Sequence, residues 1–426
     1  MAAALTLESL PPELQIHVLE EVPDICSLHN LVHASPVYRR TYLRSRKPVL
    51  HQLVSKAYGL VDLADPLAAV ESDGLHAEVE ANKPDIIAAL DRRRRYSRRD
   101  RLLPESQSIP LLQLYHRLTP VLRACCARAP NALDVPESSE RLSAVEKARI
   151  MRALCRLQTY CNVFGVREWV DPMLAGDLLQ GSSTTTWHRH FTIDEMWSLF
   201  FRTMPPWEIE EFGSVWTFVR QMFQDLFAGI AREFSRNSPE WRDLRPASMP
   251  MDPGELYGSD DPDDEYDDNE SYDDYCNHLV ALGPCFLSKV LSQPSELNRR
   301  RLLASNSVTA KSSFMDLVSV VTSHQPLIYP ADKYEAPNIA STLSALSEME
   351  QPTTAWRRHW FGDGPVNQVM RATNPGFSVY PQHSVDDTLR PLGFFPGWTW
   401  GYVFWSDYDT LTRAGLAGQA QAQAQR

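Results

Sequence analysis

Leu10-Pro11-Pro12-Glu13-Leu14-Gln15-Ile16-His17-Val18-Leu19-Glu20-Glu21-Val22-Pro23 reads as a short helix bounded by prolines. Pro12 suits a first helical turn, where its missing N–H would have had no partner anyway. Pro23 stops the helix. At 100° per residue, Leu14, Ile16, Val18, Leu19 and Val22 cover an apolar arc of about 200°. Asp24 can cap a second helix that places Ile25, Leu28, Leu31 and Val32 on one face. Ser35-Pro36 repeats the cap-and-proline grammar and opens a third helix, with Tyr38 and Tyr42 at i and i+4. Three helices this short cannot enclose so wide an apolar arc, so part of it must face a partner or the rest of the chain.

The helical grammar continues downstream. Residues 48–130 read as several short helices interrupted by Pro66, Pro84, Pro104, Pro110 and Pro120, with Asp85–Tyr96 as one of them. Ser143 and Glu146 form a capping-box pattern. It opens a strong helix through Val145, Ala148, Met151, Leu154, Leu157, Cys161 and Phe164, stopped at Gly165. Residues 181–190 read as a loop. Pro205-Pro206-Trp207 opens the most apolar helix. Its Ile209, Phe212, Val215, Trp216, Val219, Met222, Phe223, Leu226, Phe227, Ile230 and Phe234 form an arc that belongs at the centre of a core. Helices resume near Tyr275–Leu291 and Ser313–Val321. Trp398, Trp400, Tyr402 and Phe404 alternate, which favours a short extended piece, a buried helix being the alternative. The pattern as a whole predicts a mainly α fold with little β structure.

Composition narrows the functional classes. The chain has 426 residues, 43% hydrophobic and 23% charged, with 31 Pro against 18 Gly. The net charge of −12 is carried entirely by Asp252–Tyr275, which holds twelve Asp/Glu and no Lys or Arg. That segment is expected to be a solvated, disordered insertion, the other reading being a docking tail for a basic partner. The rest is close to neutral, so nothing calls for nucleic acid. Seven cysteines without a C-x-x-C predict reduced thiols and an intracellular setting, cytoplasmic or nuclear. The N-terminus lacks the features of a signal peptide. No apolar run approaches the length of a membrane span, and no membrane partner is expected.

Motifs for chemistry are missing. There is no H-E-x-x-H, P-loop lysine, dinucleotide glycine fingerprint or G-x-S-x-G elbow. His188 and His190, or Cys276, His278 and Cys285, lack zinc-ligand spacing. Glu210 and Glu211 are adjacent on a helix and point in different directions, which makes a poor acid–base pair. No catalytic, cofactor-binding or metal-binding residue is therefore expected, and the chain is read as non-enzymatic. Arg92–Arg95 with Arg98, Arg99 and Arg101 reads as a solvated helix end rather than an import or nucleic-acid patch. Phe394–Tyr408, with eight aromatics in fifteen residues, reads as core rather than a recognition pocket.

Leu10-Pro11-Pro12-Glu13-Leu14, Ile16, Val18-Leu19, Val22-Pro23, Leu28, Leu31-Val32 and Tyr38 resemble the F-box. His33-Ala34-Ser35-Pro36-Val37-Tyr38 is similar to the variant common among fungal F-box proteins, although many F-boxes carry Trp where Tyr38 stands. Met151–Gln158, Pro206–Phe212 and Trp400–Trp405 resemble the helical partner region of such proteins. The resemblance implies an F-box-like module over residues 1–48 and an α-helical domain over 49–410 containing the acidic insertion. A disordered Ala/Gln-rich tail over 411–426 completes the division. It also implies docking on a Skp-type adaptor of a cullin–RING ubiquitin ligase through Leu10, Pro11, Pro12, Leu14, Val18 and Leu19, and recruitment of a protein target. The alternative keeps the same helices but packs the ridge onto residues 49–130, leaving a helical scaffold without ligase recruitment.

Overall fold

The computed structural model describes residues 6–96, 103–131, 142–169, 190–231, 244, 268–306, 346–354, 356, 398 and 401–406. These residues form twelve α-helices and no strand, so the fold is mainly α, as the periodicity predicts. The opening follows its sequence grammar. Helix α1 is Pro12–Glu21 and α2 is Ile25–Ala34. The Asp24 carboxylate caps α2 by accepting from the Ser27 N–H at 2.7 Å. Helix α3, Pro36–Tyr58, is capped by Ser35, whose hydroxyl accepts from the Tyr38 N–H at 3.3 Å.

The third helix is two helical segments joined by a kink close to the expected module boundary. It bends at Ser45 (φ −116°, ψ 21°), ahead of Pro48, and continues to Tyr58. Its second half buries Val49, Leu50, Leu53, Val54 and Tyr58, and the Tyr58 hydroxyl donates to the Leu111 carbonyl at 2.8 Å. The first three helices and the rest thus share one apolar core, with Pro48 in the first turn of the segment that follows the kink.

Helices α4 (Ala64–Glu71) and α5 (Lys83–Arg95) follow. The reading of 48–130 as short broken helices is corrected at α6, which runs unbroken from Glu105 to Asn131 through Pro110 and Pro120. Each internal proline forfeits a backbone bond and costs about 3 kcal/mol. Leu111, Leu112, Leu114, Leu118 and Val121 are all buried along α6. At roughly 1.5–3 kcal/mol per buried aliphatic side chain, their burial outweighs the two breaks.

Helix α7, Ala144–Phe164, carries the predicted capping box. Ser143 Oγ accepts from the Glu146 N–H at 3.2 Å, and Glu146 Oε2 accepts from the Ser143 N–H at 2.7 Å. Thr192 and Glu195 repeat that box at α8, Ile193–Leu199. Helix α9 is Pro206–Ala231. Helix α10, Asp268–Ala281, begins inside the acidic segment, and its buried Tyr275 stacks on Phe227 with ring centroids 5.6 Å apart. The last eight residues of the expected disordered insertion are therefore helical, while 252–267 lie outside the described residues. The helix expected over Tyr275–Leu291 is two, because Gly283 (φ +89°) and Pro284 separate α10 from α11, Pro284–Leu291. Helix α12 is Glu296–Ala304. The helix expected at 313–321 and the tail 411–426 are outside the described residues.

Helices α7 and α9 lie at the centre, packed on each other and flanked by α4, α6 and α10. Tyr160 of α7 meets Phe164, Phe200, Phe201 and Phe212 with ring centroids 5.1–5.6 Å apart. The extended piece expected near Trp398 is instead a single 3-10 turn at Tyr402–Phe404, entered through Gly401 in the left-handed region (φ +65°). Trp398 sits so close to Gly213 of α9 that a Cβ there would come within 2.6 Å of the indole. Trp398, Tyr402, Phe404 and Trp405 are buried, so this part of the aromatic stretch is core.

Candidate partner-docking site

The ridge expected to dock a partner begins before α1. Leu7–Ser9 forms a 3-10 turn, followed by Leu10 in extended backbone. This turn is fastened from two helices. Gln15 of α1 is buried, and its amide donates to the Leu10 carbonyl at 2.8 Å and the Glu8 carbonyl at 3.3 Å. Its oxygen accepts from Thr41 of α3 at 2.6 Å. The Tyr38 hydroxyl donates to the Leu7 carbonyl at 3.1 Å, and the Ser35 hydroxyl donates to Glu8. Tyr38 thus uses its hydroxyl to hold the strip that leads into the ridge.

The predicted residues divide by burial. Pro11 and Pro12 are exposed, and Leu14 is 48% exposed. Leu10 and Val18 are half-buried. Leu19 is the correction, being 0% exposed within the chain's own core and thus inaccessible to a partner. On α1 the apolar arc is wider than one contact needs, and position 19 lies on the side turned to α3. Leu28 is buried and Leu31 half-buried, so both hold the three helices together.

Two exposed leucines were not predicted, Leu7 at 61% and Leu43 of α3 at 63%. With Leu14 and Leu60, they make four of the five large apolar residues found exposed among the described residues, the fifth being Leu297. All four fall in the first sixty residues. Leu43 stands among exposed Arg39, Arg40, Arg44 and Lys47, while α1 carries Glu13, Glu20 and Glu21.

A network of charged side chains is buried inside the fold. Arg149, Arg152 and Arg156 recur at i, i+3 and i+7 on α7, facing Glu208 and Glu211 at i and i+3 on α9. Arg152 grips Glu211 at 2.6 and 2.8 Å and reaches Glu208 at 3.1 Å. Arg156 bridges Glu208 at 2.8 Å and Asp65 at 2.9 Å, and Arg93 completes Asp65 at 2.6 Å. Burial alone would push the Asp65 carboxyl up. The Arg156 and Arg93 guanidiniums beside it instead hold it well below the usual carboxylate range. The three carboxylates balance the three guanidiniums of Arg93, Arg152 and Arg156, which is the condition under which buried charge is tolerated. Arg149 donates to the carbonyls of Glu348 and Gln351 at 2.6 and 3.0 Å. Glu210 turns away from Glu211 to accept from the indoles of Trp356 and Trp398 at 3.2 and 3.3 Å, and from the Tyr402 hydroxyl.

The arginine run expected to be solvated is only partly so. Arg93 is buried, Arg92 pairs with Glu71 at 2.8 Å and Arg95 with Asp91 at 3.3 Å, while residues 97–102 lie outside the described residues. All seven cysteines are free, with Cys125 and Cys155 fully buried and their thiols pushed up by that burial. No helix among the described residues is long and apolar enough to cross a membrane. Comparison with protein-family models, with curated proteins and with solved structures finds no match for this chain.

Proposed function

We propose that this chain is an F-box-type substrate adaptor. Its N-terminal helices bind a Skp-type adaptor of a cullin–RING ubiquitin ligase through Leu10, Pro11, Pro12, Leu14 and Val18, and its larger helical region recruits a protein target. The observation that carries this reading is the accessible Pro11-Pro12-Leu14 strip on a framework fixed by Gln15, Thr41 and Tyr38. A fixed apolar strip at the edge of a helical unit suits insertion into a partner's groove, since little ordering cost remains at binding. The F-box resemblance supplies the identity of that partner. Co-purification of a Skp-type adaptor with the full-length tagged chain tests the proposal, and failure to co-purify at micromolar concentrations would count against it.

A second reading is a helical scaffold without ligase recruitment. It is favoured by the apolar core that the first three helices share with the rest and by the burial of Leu19. It requires the ridge to pack on residues 49–130, and the exposure of Pro11, Pro12 and Leu14 speaks against that contact.

A further inference from the structure

Helix α2 carries an unused set of metal-ligating side chains, Cys26-x-x-His29-x-x-x-His33. At 100° per residue these three positions fall within about 60° of one another. All three are exposed, and Leu28 turns inward from the opposite side. The imidazoles of His29 and His33 already lie together, with ring centroids 4.2 Å apart and planes tilted by 40°. One turn toward the N-terminus, the Cys26 sulfur lies 3.7 and 3.8 Å from the two ring nitrogens of His116 on α6. As the side chains stand, no three ligating groups among the described residues converge on one point, so the preformed element is the histidine pair.

We propose that His29 and His33 chelate a divalent first-row transition ion such as Zn2+. Two histidines at i and i+4 on one helical face are the arrangement that zinc helices use. Neutral imidazole suits zinc, copper and nickel, with nitrogen–zinc distances of about 2.0–2.1 Å. Rings already this close need only small side-chain rotations to bring one nitrogen each onto a common ion, and the exposed face leaves the remaining positions to water. The closure spans four residues of α2, so the ion would clamp that turn of the helix, which packs on α3, and stabilise the folded chain by mass action. Cys26 and His116 lie beside this pair without being needed for it. The site is separate from the Pro11–Leu14 strip and does not depend on the adaptor reading.

The test uses the full chain, titrated with ZnCl2 by calorimetry and followed by thermal melting with and without the ion. The chain has 12 histidines, so the comparison with variants decides. The expected result is a binding step that weakens at least tenfold in His29→Ala and in His33→Ala, with loss of the Zn2+-dependent rise in Tm. Cys26→Ser should keep both. All three positions are exposed, so the metal-free melts should coincide with that of the unsubstituted chain. Equal zinc binding by the chain and both histidine variants would overturn the site. Loss of binding in Cys26→Ser would likewise overturn it, by placing the ion on the thiol.

Discussion

The Tyr402 hydroxyl donates to the Glu210 carboxylate, joining the C-terminal aromatic stretch to the N-terminal end of α9. The indoles of Trp356 and Trp398 converge on the same carboxylate. Removing it strands three buried donors, each costing about 1–3 kcal/mol. Glu210→Ala is therefore expected to lose at least about 3 kcal/mol, and Glu210→Gln, which keeps the shape and one acceptor oxygen, to lose less. Urea unfolding of the two variants side by side checks this. Equal, near-wild-type midpoints would show that the aromatic stretch is held by packing alone.

Asp65 makes stability depend on acid. Its folded-state carboxyl is held well below the usual range by Arg156 and Arg93. In the unfolded chain it titrates near an ordinary value of about 3.9. A lowered folded pKa contributes stability that is fully present above the unfolded value and is lost as pH falls toward the folded one. Between roughly pH 5 and 3, unfolding free energy should therefore fall more steeply in the unsubstituted chain than in Asp65→Asn. The variant should also be less stable at pH 7, since it leaves two buried guanidiniums undercompensated. Parallel pH slopes would contradict the assignment.

Trp216 and Phe223 on α9 are both fully buried. Truncation of either to Ala should cost about 3–5 kcal/mol and give a partly unfolded or insoluble chain. Far-ultraviolet circular dichroism and soluble yield report on this directly, and a stable, fully folded Trp216→Ala chain would contradict the core placement.

Much of this architecture was legible because local rules and tertiary packing agree. Pro12, Asp24, Ser35 and the Ser143–Glu146 box start helices where their chemistry says they should. The failures have separate physical causes. Pro110 and Pro120 break a helix by local rules, yet the buried leucines of α6 keep the chain helical through both. The alternation of Trp398, Tyr402 and Phe404 mimics a strand, but Gly401 and the pull of Glu210 turn the chain into a 3-10 turn. The Arg149–Arg152–Arg156 spacing was in plain view beside Glu208 and Glu211. Its role is hidden because charged side chains are expected at the surface, whereas here Arg152 and Arg156 find counter-charges in the core and Arg149 donates to backbone carbonyls. Of the residues expected to dock a partner, Pro11 and Leu14 are exposed, while Leu19 is buried in the chain's own core. An apolar arc does not by itself reveal which of its edges the chain's own α3 covers.

The central claim concerns Pro11 and Leu14, and its most direct test measures adaptor capture and melting on one preparation of Pro11→Ala/Leu14→Ala. Anchor residues of a small interface cost about 2 kcal/mol or more on truncation, roughly thirtyfold in affinity. Pro11 and Leu14 are exposed, so their loss leaves no cavity in the chain itself. The account predicts that the unsubstituted chain captures a Skp-type adaptor, that the double variant loses at least that thirtyfold, and that the two melting curves overlay. A chain that captures no adaptor, or a double variant that binds as before, would contradict it.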